Sequence, residues 1–162
     1  MTSTLNDDGK RLIQAISEEA LAVQQFVALL SLEQTALSTG NTDDLPAFAE
    51  NKGELASRLE RLAEQRNAVL AAMGFSTNRE GVEAWCSQHP TGKTVADTWA
   101  DILKLAREAR ELNRLNGELI HIRLNATANA LEALRVSKNS LDLYGPDGQS
   151  AKTGHRRIDH AV

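Results

Sequence analysis

The sequence is poor in the residues that brace or interrupt a chain. It has one cysteine, Cys86, three prolines, Pro46, Pro90 and Pro146, and only 4% aromatics in 162 residues. One cysteine excludes an intrachain disulfide and suits a reducing compartment. Few aromatics and β-branched residues, against much Ala, Leu, Glu, Arg and Gln, favour helix over sheet. There is no basic excess either: the formal charge is −4, with Lys/Arg interspersed among Asp/Glu. That argues against a nucleic-acid partner and against direct binding to anionic lipid. The segment from Met1 to Lys10 is polar and acidic and lacks a signal-peptide pattern, and no run of about 18 apolar residues exists to span a bilayer. The expectation is a soluble, cytoplasmic protein.

What is present is 41% apolar residues, enough for one domain that folds without staples. From about Asp7 to Thr39 the positions Ile13, Ile16, Ala20, Val23, Val27, Leu30, Gln34 and Leu37 follow alternating steps of three and four, a heptad seam broadened by Phe26. Gly40 and Asn41 end this helix. A second begins near Asp43 or Asp44, each a candidate N-cap, with Pro46 in its first turn. Its seam is Leu45, Phe48, Lys52, Leu55, Leu59, Leu62, Arg66, Val69 and Met73, closed by Gly74. The short connection predicts an antiparallel hairpin. Lys52 and Arg66 are long cations on that seam, two heptads apart. They either snorkel and pair with a nearby carboxylate, or fix register as polar seam residues do.

Thr77-Asn-Arg-Glu80 has capping-box form and predicts a short helix to about Gln88, anchored by Val82 and Trp85 and ended by Pro90 and Gly92. It reads as a plug over one end of the helical scaffold. Thr94-Val-Ala-Asp97 is another cap-like start, and a proline-free helix is predicted to about Ser137. Trp99 and Ile102 lead into Leu105, Leu112 and Leu119, and the apolar stripe then drifts to Ile120, Leu124, Leu131 and Leu134. A drifting stripe means that the helix changes neighbours or outruns them. From Lys138 the sequence predicts an end to helix, with Gly145-Pro-Asp-Gly148 a strong turn. The expected organisation is a helical scaffold over residues 1–138 and a flexible recognition tail over 139–162. The fold class is all-α: an elongated antiparallel bundle or coiled coil of three long helices, one short helix and a C-terminal tail.

No catalytic constellation emerges, and an enzyme is not expected. There is no P-loop and no nucleophile elbow. Cys86 and His89 lie three apart, but two ligands do not make a zinc site. The bland reading is a packed cysteine and an exposed helix-end histidine. His121, His155 and His160 have nothing to hold them for catalysis. No metal and no cofactor is expected. What remains is recognition, through an incompletely covered amphipathic helix and a tail in which Tyr144, the only tyrosine, stands beside Leu141, Leu143 and a rigid turn.

Three segments carry a resemblance. Glu111-Leu-Asn-Arg-Leu-Asn-Gly-Glu-Leu-Ile120, Ala130-Leu-Glu-Ala-Leu134 and Leu143-Tyr-Gly-Pro-Asp-Gly-Gln149, in that order and spacing, resemble the FlgN family of bacterial flagellar export chaperones. The second-helix pattern from Lys52 to Arg66 and the end Gly154-His-Arg-Arg-Ile158 fit it too. The resemblance implies a chaperone that binds the helical ends of hook-associated flagellar proteins, prevents their premature self-association and delivers them to the flagellar type III export gate. The implied partners are those cargo proteins, the membrane protein of the gate and the export ATPase complex. Carried onto this chain, it implies cargo contacts at Leu131, Leu134, Leu141 and Leu143 and gate docking at Tyr144. The short helix from Thr77 to Gln88 departs from some family members and is given no role. Asn113 and Asn116, beside Gly117, are read as setting register and close packing rather than binding cargo. The competing reading is a helical scaffold, adaptor or regulator of another secretion system using the same surface. The heptad seams can be satisfied within one chain or between two, so a homodimer is allowed.

Overall fold

A computed structural model describes the backbone of residues 2–142 and the side chains of residues 7–138. Four helices make up the described chain: α1 (Thr2–Thr39), α2 (Leu45–Ala72), α3 (Arg79–Gln88) and α4 (Gly92–Asp142). The residues group into two units, Met1–Ile120 and His121–Val162. The first is an up-down-up bundle of α1, α2 and the first part of α4, with α3 packed into it; the second begins within α4. The fold is all-α, as the composition predicts.

The hairpin ends where the glycines require it. Gly40 and Gly74 have φ of 81° and 79°, a left-handed conformation that costs glycine little. After α2, Phe75 N donates to Leu70 O (2.9 Å) and Gly74 N to Ala71 O (3.0 Å), a Schellman closure that also turns Phe75 onto the core. The other ends differ in detail from the sequence reading. Asp44 occupies the N-cap position of α2 with helical dihedrals and makes no side-chain cap bond. Thr77 is not the cap of α3; Asn78 is, extended at φ −132° and accepting from Gly81 N at 3.1 Å. Gly92 starts α4 instead of stopping α3, so Thr94 lies inside the first turn. At the far end α4 continues to Asp142, beyond the predicted stop at Ser137. Asn139 and Ser140 are weak helix formers but not breakers, and extending an existing helix is far easier than nucleating one.

The core gathers all four helices: Leu12, Ile16, Ala20 and Val23 of α1, Leu70 of α2, Val82, Trp85 and Cys86 of α3, and Val95, Trp99 and Ile102 of α4. Trp85 and Val82 anchor α3, as its pattern predicts. The buried face of α1 is wider than one seam, because it takes in Leu12, Ala15, Ala22 and Ala36 as well. In α4 the most buried line is Val95, Ile102, Ala109 and Asn116, spaced seven apart, and Leu105, Leu112 and Leu119 flank it half-buried. One window within Asp7–Thr39 reaches a mean hydropathy of 1.2, apolar enough by length and composition to cross a membrane. Its apolar stripe packs in the core here.

Two polar layers cross the bundle. Glu19 and Arg66 form one: the guanidinium Nη1 lies 2.5 and 2.6 Å from the two carboxylate oxygens, and its Cζ sits 4.8 Å from the ring centroid of Trp99. Glu33 and Lys52 form the other at 2.7 Å. The second oxygen of Glu33 accepts from Asn116 Nδ2 at 2.8 Å, and the same amide donates to Leu30 O at 2.9 Å. Each layer therefore joins α1, α2 and α4. Glu19 to Glu33 and Lys52 to Arg66 are both fourteen residues, so both pairs obey one antiparallel register. Within each ion pair the carboxylate is the more enclosed partner, with side chains 9% (Glu19) and 3% (Glu33) exposed. Both cations on the second seam thus pair with a carboxylate of α1. Of the two asparagines read as register residues, Asn116 is buried and bonded, whereas Asn113 is exposed. Gly117 marks no close approach, since a Cβ there would meet nothing within 4 Å.

Burial pushes the Glu19 carboxyl above its ordinary value of 4.5, and the Arg66 charge and hydrogen bond pull it part of the way back. A raised folded-state value means that Glu19 contributes most in acid and that this contribution is lost as pH rises through the folded value. Relative to Glu19→Gln, the unaltered chain should therefore lose stability as pH rises above 4.5, read from urea unfolding at a series of pH values. At neutral pH, Arg66→Met alone should cost about 3 kcal/mol by leaving a buried carboxylate, while Glu19→Leu with Arg66→Met should restore most of it. The glycines separate as sharply. A Cβ on Gly92 would fall on the Cys86 carbonyl, so Gly92→Ala should lower the unfolding midpoint clearly. Gly117→Ala, exposed and within a helix, should raise stability by about 0.5–1 kcal/mol in the same measurement.

Candidate functional site

The described residues concentrate exposed apolar side chains in one stretch of α4. From His121 to Lys138 every side chain except half-buried Arg123 is exposed. Among them Leu131 and Leu134 are 61% and 67% exposed, and Leu124 is 63% exposed. Exposure of large aliphatic side chains in a row, at helical spacing, is what a surface for a partner helix offers. The local sequence makes this possible because Ala126, Ala128, Ala130 and Ala133 keep helix propensity high where the side chains are exposed. Within this stretch Arg135 pairs with Glu132 at 3.8 Å. The pair is solvent-exposed and worth little.

The expected site residues are thus placed unevenly. Leu131 and Leu134 lie on this exposed stretch. Leu141 has its backbone in α4, whereas its side chain lies outside the described residues, as do Leu143 and Tyr144. Ile122 and Val136, exposed at 62% and 58%, were not among the expected contacts. The signal that could have found them is an aliphatic pair separated by fourteen residues on the same stretch.

Cys86 is buried, and burial pushes its thiol up, away from a reactive thiolate. His89 is half-buried, not a free helix-end histidine: its ring stacks on Trp85 at 4.3 Å and its Nδ1 lies 2.7 Å from the Trp85 carbonyl. No group of three or more His, Cys, Asp and Glu among the described residues could hold a metal ion. His121 is exposed beside Asn125, at 3.2 Å. A small cavity of about 220 Å³ opens between Val23, Phe26, Leu59, Ala106 and Ala109, with Arg110 and Asn113 at its polar side. Glu111, Arg114 and Glu118 form an exposed cluster in which Arg114 holds the Glu111 carboxyl below its usual value.

Known proteins are similar to this chain over most of its length. The family described as FlgN protein matches residues 1–152. The chain is 25% identical over 146 residues to the Flagella synthesis protein FlgN of Salmonella typhimurium, covering 90% of this chain and 94% of that one. It is 24% identical over 151 residues to the protein of the same name from Proteus mirabilis, covering 89% and 92%. Among solved structures, a Pseudomonas aeruginosa protein described as a flagella synthesis protein FlgN superposes with a TM-score of 0.62 at 23% identity, over 67% of this chain and 85% of that one. At that identity the superposition speaks for the fold. The family match spans nearly the whole sequence, from the α1–α2 hairpin through α4, and the chain belongs to the FlgN family.

Proposed function

We propose that the chain is a cytoplasmic export chaperone of flagellum synthesis, non-enzymatic, which binds the helical ends of hook-associated proteins. It keeps those ends from associating prematurely and brings them to the flagellar type III export gate. The observation that carries this reading is the exposed apolar stretch of α4 with Leu131 and Leu134 on it. Terminal helices that would otherwise self-associate need an apolar cover, and an exposed helix of heptad spacing supplies one. The names of the relatives, flagella synthesis proteins, support the cellular setting. The scaffold in turn is held by the Glu19–Arg66 and Glu33–Lys52 ties, so cargo binding need not perturb the bundle core.

Within this reading Leu131, Leu134, Leu141 and Leu143 contact cargo, and Tyr144 docks on the membrane protein of the gate, where the export ATPase complex also operates. A tyrosine offers large area at low entropy cost together with a hydroxyl. Pull-down and titration with purified hook-associated proteins test the reading. Truncation after Val136 should weaken cargo binding by about tenfold or more, and equal affinity would remove the tail from the site. Leu131→Ala with Leu134→Ala should weaken cargo binding by about tenfold. Tyr144→Ala should leave cargo affinity unchanged and weaken binding to the soluble part of the gate protein. An unchanged gate affinity would remove Tyr144 from that role.

A further inference from the structure

The stretch of α4 from His121 to Lys138 is apolar on two opposite faces. Leu124, Thr127, Leu131 and Leu134 follow alternating steps of three and four and form one line along the helix. Ile122, Ala126, Asn129, Ala133 and Val136 follow the same steps along a second line. The second line is displaced by two residues, and two residues turn an α-helix by about 200°. The two lines therefore lie on opposite sides. The large side chains of both are exposed to a similar degree: Leu124, Leu131 and Leu134 at 63%, 61% and 67%, Ile122 and Val136 at 62% and 58%.

A helix that joins one neighbour carries one apolar stripe and a polar opposite face. Two opposed heptad lines instead fit a helix that stands between two others, each packing knobs into one side. The charges lie around the first line and give the sign of its partner: at about 100° per residue Arg123 and Arg135 fall to either side of it and Lys138 continues it. Arg123, Arg135 and Lys138 stand against one carboxylate, Glu132, in a chain whose total charge is −4. A locally positive helix in an acidic protein selects helices with acidic flanks.

We propose that this stretch is the middle member of a three-helix layer, receiving two amphipathic helices of one cargo chain, one on each apolar line, with acidic flanks on the helix that takes the leucine line. The inference rests on the chaperone reading above and adds to it that both faces are occupied at once, by two segments of the same partner. A cargo that used a single helix would cover Leu124, Leu131 and Leu134 and leave Ile122 and Val136 in water. Two helices of one chain held on opposite sides of α4 are also kept from packing on each other, which is what preventing premature self-association requires.

Titration calorimetry of the full chain with a purified hook-associated protein tests this. Two paired variants are compared, Leu124→Ala with Leu131→Ala and Ile122→Ala with Val136→Ala. All four side chains are exposed and alanine favours helix, so circular dichroism should show unchanged helix content. The expected result is one cargo chain per chaperone and a loss of affinity of about tenfold or more for each pair separately. If the leucine pair weakens binding and the Ile122–Val136 pair does not, the second face is overturned and the chaperone reading stands. Binding of two cargo chains per chaperone would overturn the inference in the same way. If sedimentation shows the unaltered chain to be a dimer that Ile122→Ala with Val136→Ala makes monomeric, the second face belongs to a second copy and the inference is overturned. No cargo binding by the unaltered chain would remove the chaperone reading and this inference with it.

Discussion

Two enclosed carboxylates, Glu19 and Glu33, set the terms for the bundle of Met1–Ile120. Each is paired with a cation from α2, and α4 joins each pair, through the Trp99 ring over Arg66 in one layer and through Asn116 donating to Glu33 in the other. Aliphatic seams tolerate small slips of one helix along another, because leucine against leucine is nearly as good one heptad away. Enclosed charges do not. A slip would set a carboxylate against aliphatic side chains, with a desolvation cost of several kcal/mol per ion. The equal spacing of the two pairs means that one register satisfies both and its neighbours satisfy neither.

The apolar core is built around this frame. It is richest where α3 enters, with Trp85 and Trp99 among the buried residues and Phe75 packed against them from the Schellman turn. α3 fits there because Gly81 and Gly92 allow backbone to approach backbone: a Cβ on either would fall on the carbonyl of Ser76 or Cys86. The short helix is thus an integral part of the fold, whatever else it does. The stretch His121–Lys138 is built on a different principle, with alanine-rich helix propensity and exposed aliphatic side chains in place of a core.

That contrast matches the demands that the proposed role, holding a helical client, would make. A scaffold with buried ionic ties resists rearrangement, and an exposed apolar helix lowers its free energy when another helix covers it. The second apolar line of α4, through Ile122 and Val136, extends this logic to both sides of the helix. Separating stability from recognition also allows substitutions on the exposed stretch to change binding without unfolding the bundle.

Much of this was legible in the sequence. Helix class, the hairpin and its glycine ends at Gly40 and Gly74, the anchors Val82 and Trp85, and Lys52 and Arg66 as polar seam residues all follow from local pattern and residue chemistry. Periodicity of three and four is a property of the helix itself, so it survives without knowledge of neighbours. Cap choice was less legible: Asn78 rather than Thr77 and Gly92 rather than Thr94 depend on how backbone meets backbone. Only the tertiary structure could decide which glutamates go inside. Glu19 and Glu33 look like any solvated helix glutamate until α2 brings Arg66 and Lys52 to them. Leu131 and Leu134 read equally well as core or surface until the neighbours are known, and here they are exposed. Sequence determines the faces that each helix carries; tertiary contact determines which face is covered, because burial is a property of two surfaces and a sequence describes them one at a time.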